Sequence, residues 1–136
     1  METGPLADAE SLLAVELWER CGLTRPWNDP HHDLALARAA PDAEILAGRL
    51  DGVLAATVMV GFDGHRGWVY YLAVEPTHRR RGLGRAMMDA AEAWLRTRGA
   101  PKLQLMVRDT NADALGFYAA LGFERQPVAT LGKRLG

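Results

Sequence analysis

Four arginines and two glycines crowd into seven residues, Arg79-Arg80-Arg81-Gly82-Leu83-Gly84-Arg85. The run follows an apolar stretch ending Leu72-Ala73-Val74 and a break at Glu75-Pro76, and it opens a segment of helical periodicity. The first amides of a helix have no carbonyl partner within it, and the helix dipole makes them partly positive. Gly82 and Gly84 lack Cβ atoms, so an anion can come close to the backbone. Arg79, Arg80, Arg81 and Arg85 concentrate positive charge in a chain whose 16 Lys and Arg otherwise balance 17 Asp and Glu. That chemistry suits a phosphate ester or a pyrophosphate. The same residues also describe an ordinary helix start, with glycines for tight packing and arginines in water; a G-x-G alone does not separate the two. A Walker loop is excluded because no Gly-Lys-Ser/Thr follows. A dinucleotide fingerprint lacks its third glycine and its acidic residue.

A second group lies downstream. Asn111, Ala114 and Tyr118 fall at i, i+3 and i+7, on one face of a helix. The Tyr118 phenol is protonated at neutral pH, with a reference pKa near 10, and can give a proton to a leaving thiolate. Asn111 is also a good helix N-cap in its own right. Phe117 and Leu121 read as packing residues, and Tyr118 alone could equally be one.

These residues need elements to hold them. Apolar spacing predicts helices over residues 7–21, 31–40, 81–98 and 111–121. Strands are expected over 44–50, 53–62, 68–74, 102–107, 123–126 and 128–133, with Asp51-Gly52 as a hairpin turn. The order is helices, three antiparallel strands, helix, strand, helix, strands. It implies a mixed α/β sheet with helices on both faces.

Composition narrows the class. A chain of 136 residues makes about one domain. Its apolar content of 49% and charged content of 24% are those of a globular protein. The single cysteine, Cys21, excludes an internal disulfide framework and a multi-Cys zinc site; no metal is expected, and Cys21 reads as a packing thiol. A net charge of −1 argues against a dedicated nucleic-acid binder. The apolar stretch 53–60 is interrupted by Thr57 and is far shorter than the roughly 18 residues a membrane span needs. With no basic-then-apolar start, a signal peptide is not expected, and the chain reads as cytoplasmic.

Taken together, Arg79-x-x-Gly82-x-Gly84 after Leu72-Ala73-Val74 resembles the acetyl-CoA-binding motif of the GNAT N-acetyltransferases. Asn111-x-x-Ala114-x-x-Phe117-Tyr118, followed by Leu121-Gly122-Phe123, resembles that family's second motif. The likeness spans residues 44–134, and two motifs in the right order are far more specific than either one. It implies one domain over residues 1–136 and an α/β (α+β) fold. The central sheet would be mainly antiparallel and splayed between strands 68–74 and 102–107. Acetyl-CoA would be the co-substrate, its pantetheine arm paired to Leu72, Ala73 and Val74 as an added strand would be. The amides of Arg80, Arg81, Gly82, Leu83, Gly84 and Arg85, with Arg79, would hold the pyrophosphate. Asn111, Ala114 and Phe117 would complete the cofactor site. An amide near Val74 would stabilise the oxyanion, and Tyr118 would protonate the departing sulfur.

The acceptor implied is a primary amine, of a small molecule or an exposed protein group. Trp27, Asn28 and Asp29, the turn residues Asp63 and His65, and Tyr70 and Tyr71 are the expected lining of its pocket. Relatives that acetylate ribosomal-protein N-termini carry a glutamate where this chain has Met106. Histone-type relatives carry one where it has Trp68. The general base is therefore open among Tyr70, Tyr71, Asp63, His65, Glu19 and Asp29. An alternative in a different class is an acyl-CoA-binding regulatory module without turnover. A homodimer would follow from family analogy only. The family begins with a strand, but Gly4 and Pro5 are poor strand formers, so that first strand is expected to be weak or missing.

Overall fold

The computed structural model describes residues 1–136, which divide into two compact units, Met1–Met106 and Val107–Gly136.

In the first unit, β1 (Glu2–Pro5), β2 (Ala43–Leu50), β3 (Val53–Phe62), β4 (Gly67–Val74) and β5 (Leu103–Gln104) lie side by side in that order. The first four are antiparallel neighbours, and β5 joins β4 in parallel. α1 (Ser11–Arg20) and α2 (Pro30–Ala39) cover one face, where Val15, Leu17, Trp18 and Leu34 pack with Ile45, Ala47 and Ala73. α3 (Leu83–Thr97) covers the other. Its buried Leu83, Met87, Ala91 and Leu95 recur every four residues, which lines them up along one stripe. Leu95 lies so close to β4 that a Cβ at Gly67 would meet its Cδ1 at 2.5 Å, so a side chain there would have to displace Leu95.

The first strand is a correction. β1 is present and pairs with β2 from Glu2↔Arg49 to Pro5↔Leu46. As an edge strand it tolerates the amide that Pro5 lacks. Its register is pinned by contacts the sequence pattern does not reveal. Leu6 is buried and its amide donates to Ile45 O at 2.8 Å. Arg49 reaches across from β2, donating to Pro5 O at 3.0 Å and, through Nε, to Glu10 at 2.9 Å.

Two further expectations change. The strand expected at 102–107 shrinks to Leu103–Gln104, opposite Gly67 and Trp68 only. Beyond Trp68, β4 has no strand on that side. The strands expected at 123–126 and 128–133 do not form. Alternating apolar residues become a strand only where an edge accepts them, and Pro127 and Gly132 weaken both segments further. The first helix also starts later, at Ser11, after a 3-10 turn over Asp8–Glu10.

In the second unit, α4 (Ala112–Ala120) is capped by Asn111, whose Oδ1 accepts from Ala114 N at 3.1 Å. The chain leaves it through Gly122 N to Ala119 O and Phe123 N to Tyr118 O, both 3.0 Å.

Candidate active site

The open edge of β4 is shaped by a bulge. Gly67 N donates to Lys102 O, so in the first half of the strand Gly67 and Val69 face the β5 side and Trp68 and Tyr70 bond to β3. Met59 pairs with Tyr70, but Thr57 pairs with Ala73, so Tyr71 and Leu72 together oppose Val58. Past this point Glu75 N donates to Ala55 O at 2.8 Å. Ala73 and Glu75 therefore bond to β3, while Leu72 and Val74 turn their N–H and C=O groups to the open edge. The Val74 carbonyl receives a weak bond from the Cys21 thiol at 3.3 Å.

Tyr71, at the bulge, has a left-handed φ of +52°. Such backbone costs a residue with a Cβ roughly 1–2 kcal/mol. Its carbonyl accepts from Thr57 Oγ1 at 3.0 Å, and Thr57 Oγ1 in turn accepts from Trp18 Nε1 at 2.8 Å. Its ring stacks on Trp18 with centroids 3.9 Å apart, and its hydroxyl donates to Asp33 at 2.6 Å. Burial first, and then the Asp33 carboxylate, hold this phenol far above its ordinary pKa. Tyr71 is therefore neutral and anchored rather than free to take a proton.

After Val74 the chain makes a 3-10 turn over Pro76–His78 and enters α3 through Gly82, which has φ +79°. Gly82 has no side-chain cap, and no acid occupies the first turn of α3. The first helical bond is Ala86 N to Gly82 O at 3.1 Å, so the amides of Leu83, Gly84 and Arg85 have no partner in the helix. The amides of Arg80, Arg81 and Gly82 donate to no backbone carbonyl either. Arg79, Arg80, Arg81 and Arg85 are exposed, and none of them pairs with a carboxylate. Arg81 contacts His78 Nδ1 at 3.0 Å. Leu83 is buried, so only its backbone faces the turn. The result is a run of amides without backbone partners, among four exposed arginines, whose chemistry suits a multiply charged anion.

On the α1/α2 face a groove of about 330 Å³ opens between α2 and the sheet, lined by Asp33, Leu36, Met59, Gly61 and Tyr70 among others. Of the residues expected to line an acceptor pocket, only Tyr70 lies in it. Burial, and then the charge of Asp63, raise the Tyr70 phenol above its usual pKa. Asp29 is occupied as the cap of α2, accepting from His31 N at 2.9 Å. Asp63 organises its own turn, accepting from His65 N at 2.8 Å, Arg66 N at 2.7 Å and Trp68 Nε1 at 3.2 Å. Those amide bonds hold its carboxyl below the usual range. His65 Nδ1 lies against Arg66 in the same turn. Asn28 N bonds to Arg25 O, and Trp27 is exposed. Sequence reasoning missed Asp33, Trp18 and Thr57. The one available signal was Thr57, a hydroxyl placed in an otherwise apolar strand.

In the second unit, the Asn111 oxygen serves as the helix cap. Tyr118 packs edge-on against Phe117 and Phe123, with centroids 5.0 and 5.6 Å away. Burial pushes its phenol up to about 12.

Residues 12–123 match the model of the acetyltransferase (GNAT) family. Among solved structures, the chain is similar to AAC(6')-Iy in complex with the bisubstrate analogue CoA-S-monomethyl-acetylneamine. That match has a TM-score of 0.82 and 17% identity and covers 98% of each chain. The aminoglycoside antibiotic 6'-N-acetyltransferase AAC(6')-IG from Acinetobacter haemolyticus matches with a TM-score of 0.80 and 19% identity over 100% of both chains. A ribosomal-protein-alanine N-acetyltransferase from Brucella melitensis matches with a TM-score of 0.78 and 20% identity over 98% of both. At these identities the likeness to the solved structures is one of fold.

Proposed function

This chain belongs to the acetyltransferase (GNAT) family and is an acyltransferase that uses acetyl-CoA, and we propose that it transfers the acetyl group directly to a primary amine. The acceptor is either a small molecule or an exposed protein amino group. The observation that carries this reading is the turn from β4 into α3. There, free amides and four unpaired arginines follow directly on a strand edge with outward N–H and C=O groups. The residues fit the donor: the turn suits a diphosphate, and the edge suits an amide-bearing arm.

Bound acetyl-CoA supplies an activated thioester. The amides of residues 80–85 and the guanidinium groups of Arg79, Arg80, Arg81 and Arg85 hold its phosphates. Leu72 and Val74 would align the arm by backbone hydrogen bonds, and an amide near Val74 would polarise the acyl carbonyl. Holding donor and amine together supplies much of the rate enhancement. Tyr118 keeps its proton throughout the neutral range and delivers it to the sulfur as the C–S bond breaks, and the proton that the amine nitrogen loses on forming the amide returns to the phenolate. With a phenol pKa raised to about 12, this proton is present below about pH 10 and is lost only as pH climbs through 12. The stability owed to the neutral buried phenol follows the same window.

Aminoglycoside and ribosomal-protein acetyltransferases among the fold neighbours support an amine acceptor of either kind. The test is thiol release from acetyl-CoA over a panel of amines, with Tyr118→Phe alongside. Turnover with at least one amine is expected, with kcat in the variant down about 100-fold and acetyl-CoA binding little changed. The proposal fails if the protein binds acetyl-CoA but turns over with no amine, or if Tyr118→Phe is as fast as the parent.

A further inference from the structure

We infer that Trp18, Thr57, Tyr71 and Asp33 form a latch that sets the β4 bulge, and through it the outward backbone groups of Leu72 and Val74. The inference rests on the reading that this open edge receives the acyl donor.

Strand geometry makes the bulge decisive, because one inserted residue exchanges which residues face outward. Had pairing continued regularly past Tyr70, Leu72 and Val74 would bond to β3, and Tyr71 and Ala73 would face the open edge. The donor would then meet a different set of amides, displaced along the strand. The bulge depends on left-handed backbone at Tyr71, which is costly for a residue with a side chain and persists only where its surroundings impose it.

Four elements impose it together. α1 contributes Trp18, β3 contributes Thr57, β4 carries Tyr71 and α2 contributes Asp33. Tyr71 is held at its carbonyl by Thr57, along its ring by Trp18 and at its hydroxyl by Asp33. Thr57 is fully buried, and its one hydroxyl both accepts from Trp18 and donates to Tyr71. Valine would fill the same space in this apolar strand, so the hydroxyl is the atom that matters there. These are positioning residues, acting on the donor site through the backbone of β4.

Calorimetry with CoA, read beside thermal unfolding, tests the latch. Thr57→Val keeps the shape and deletes the hydroxyl, and Thr57→Ser keeps the hydroxyl and deletes a methyl. Tyr71→Phe removes only the bond to Asp33. CoA affinity should fall about tenfold in Thr57→Val and a few-fold in Tyr71→Phe. Thr57→Ser should return it to within about twofold of the parent. Amide hydrogen exchange at Leu72 and Val74 should quicken in Thr57→Val and not in Thr57→Ser. A folded Thr57→Val that binds CoA as the parent does would overturn the latch, whatever its melting temperature. If Thr57→Val does not fold, unchanged affinity in Tyr71→Phe overturns it instead. A parent that binds CoA and acetylates no amine, with the variants still weaker binders, would sink the enzyme reading and leave the latch standing.

Discussion

Two helix starts in the first unit are built in opposite ways. α2 begins conventionally: Asp29 caps it, Pro30 occupies the first turn, where its missing amide is not needed, and Asp33 adds negative charge near the positive end of the dipole. α3 has none of this. Gly82 stands at its N-cap in left-handed conformation, no acid lies in the first turn, and the neighbouring charges are all positive. Each omission leaves α3 less stable than it could be, and together they leave its amides free. A helix start that stays uncapped and electropositive on a well-packed scaffold leaves amides that an anion from outside can complete, as the proposed donor site requires. One completed by its own aspartate is structural. Asp29, expected in the acceptor lining, has a structural role as the cap of α2.

Substitutions can break this contrast from either side. Gly82→Val is expected to act most strongly. A β-branched residue is strained at φ +79° and brings a side chain into the cradle. CoA affinity by calorimetry should drop on the order of 100-fold, the scale of losing two charge-assisted hydrogen bonds, with the circular dichroism spectrum retained. Unchanged binding would remove the phosphate-cradle assignment. Arg85→Glu makes the start of α3 resemble that of α2. It should weaken CoA binding about tenfold while raising helix stability by about 0.3–1 kcal/mol; opposite signs in the two measurements are the signature. Asp29→Ala works from the other side. Loss of the cap should cost about 1 kcal/mol, or about 4 °C in Tm, and leave CoA affinity as it was. A fall in affinity with Asp29→Ala would mean that the two helix starts are less separate than their geometry indicates.

The sequence by itself determined the parts whose physics is local. Helical spacing located α2, α3 and α4 to within about two residues at each end, the Asp51-Gly52 turn located the β2–β3 hairpin, and β3 falls on the expected residues 53–62. The order of two short motifs pointed to the family that the match over residues 12–123 then showed. Tertiary structure decided whatever depended on a distant partner. β1 exists because Arg49 and Ile45 receive it, despite Gly4 and Pro5. β5 stops after two residues, opposite Gly67 and Trp68, and the alternating residues after Gly122 stay irregular. The bulge at Tyr71, which chooses the outward-facing amides, is held by residues 14, 38 and 53 positions away in sequence. Periodicity records which way a side chain prefers to point; which backbone groups remain unpaired is settled only when remote strands and helices meet.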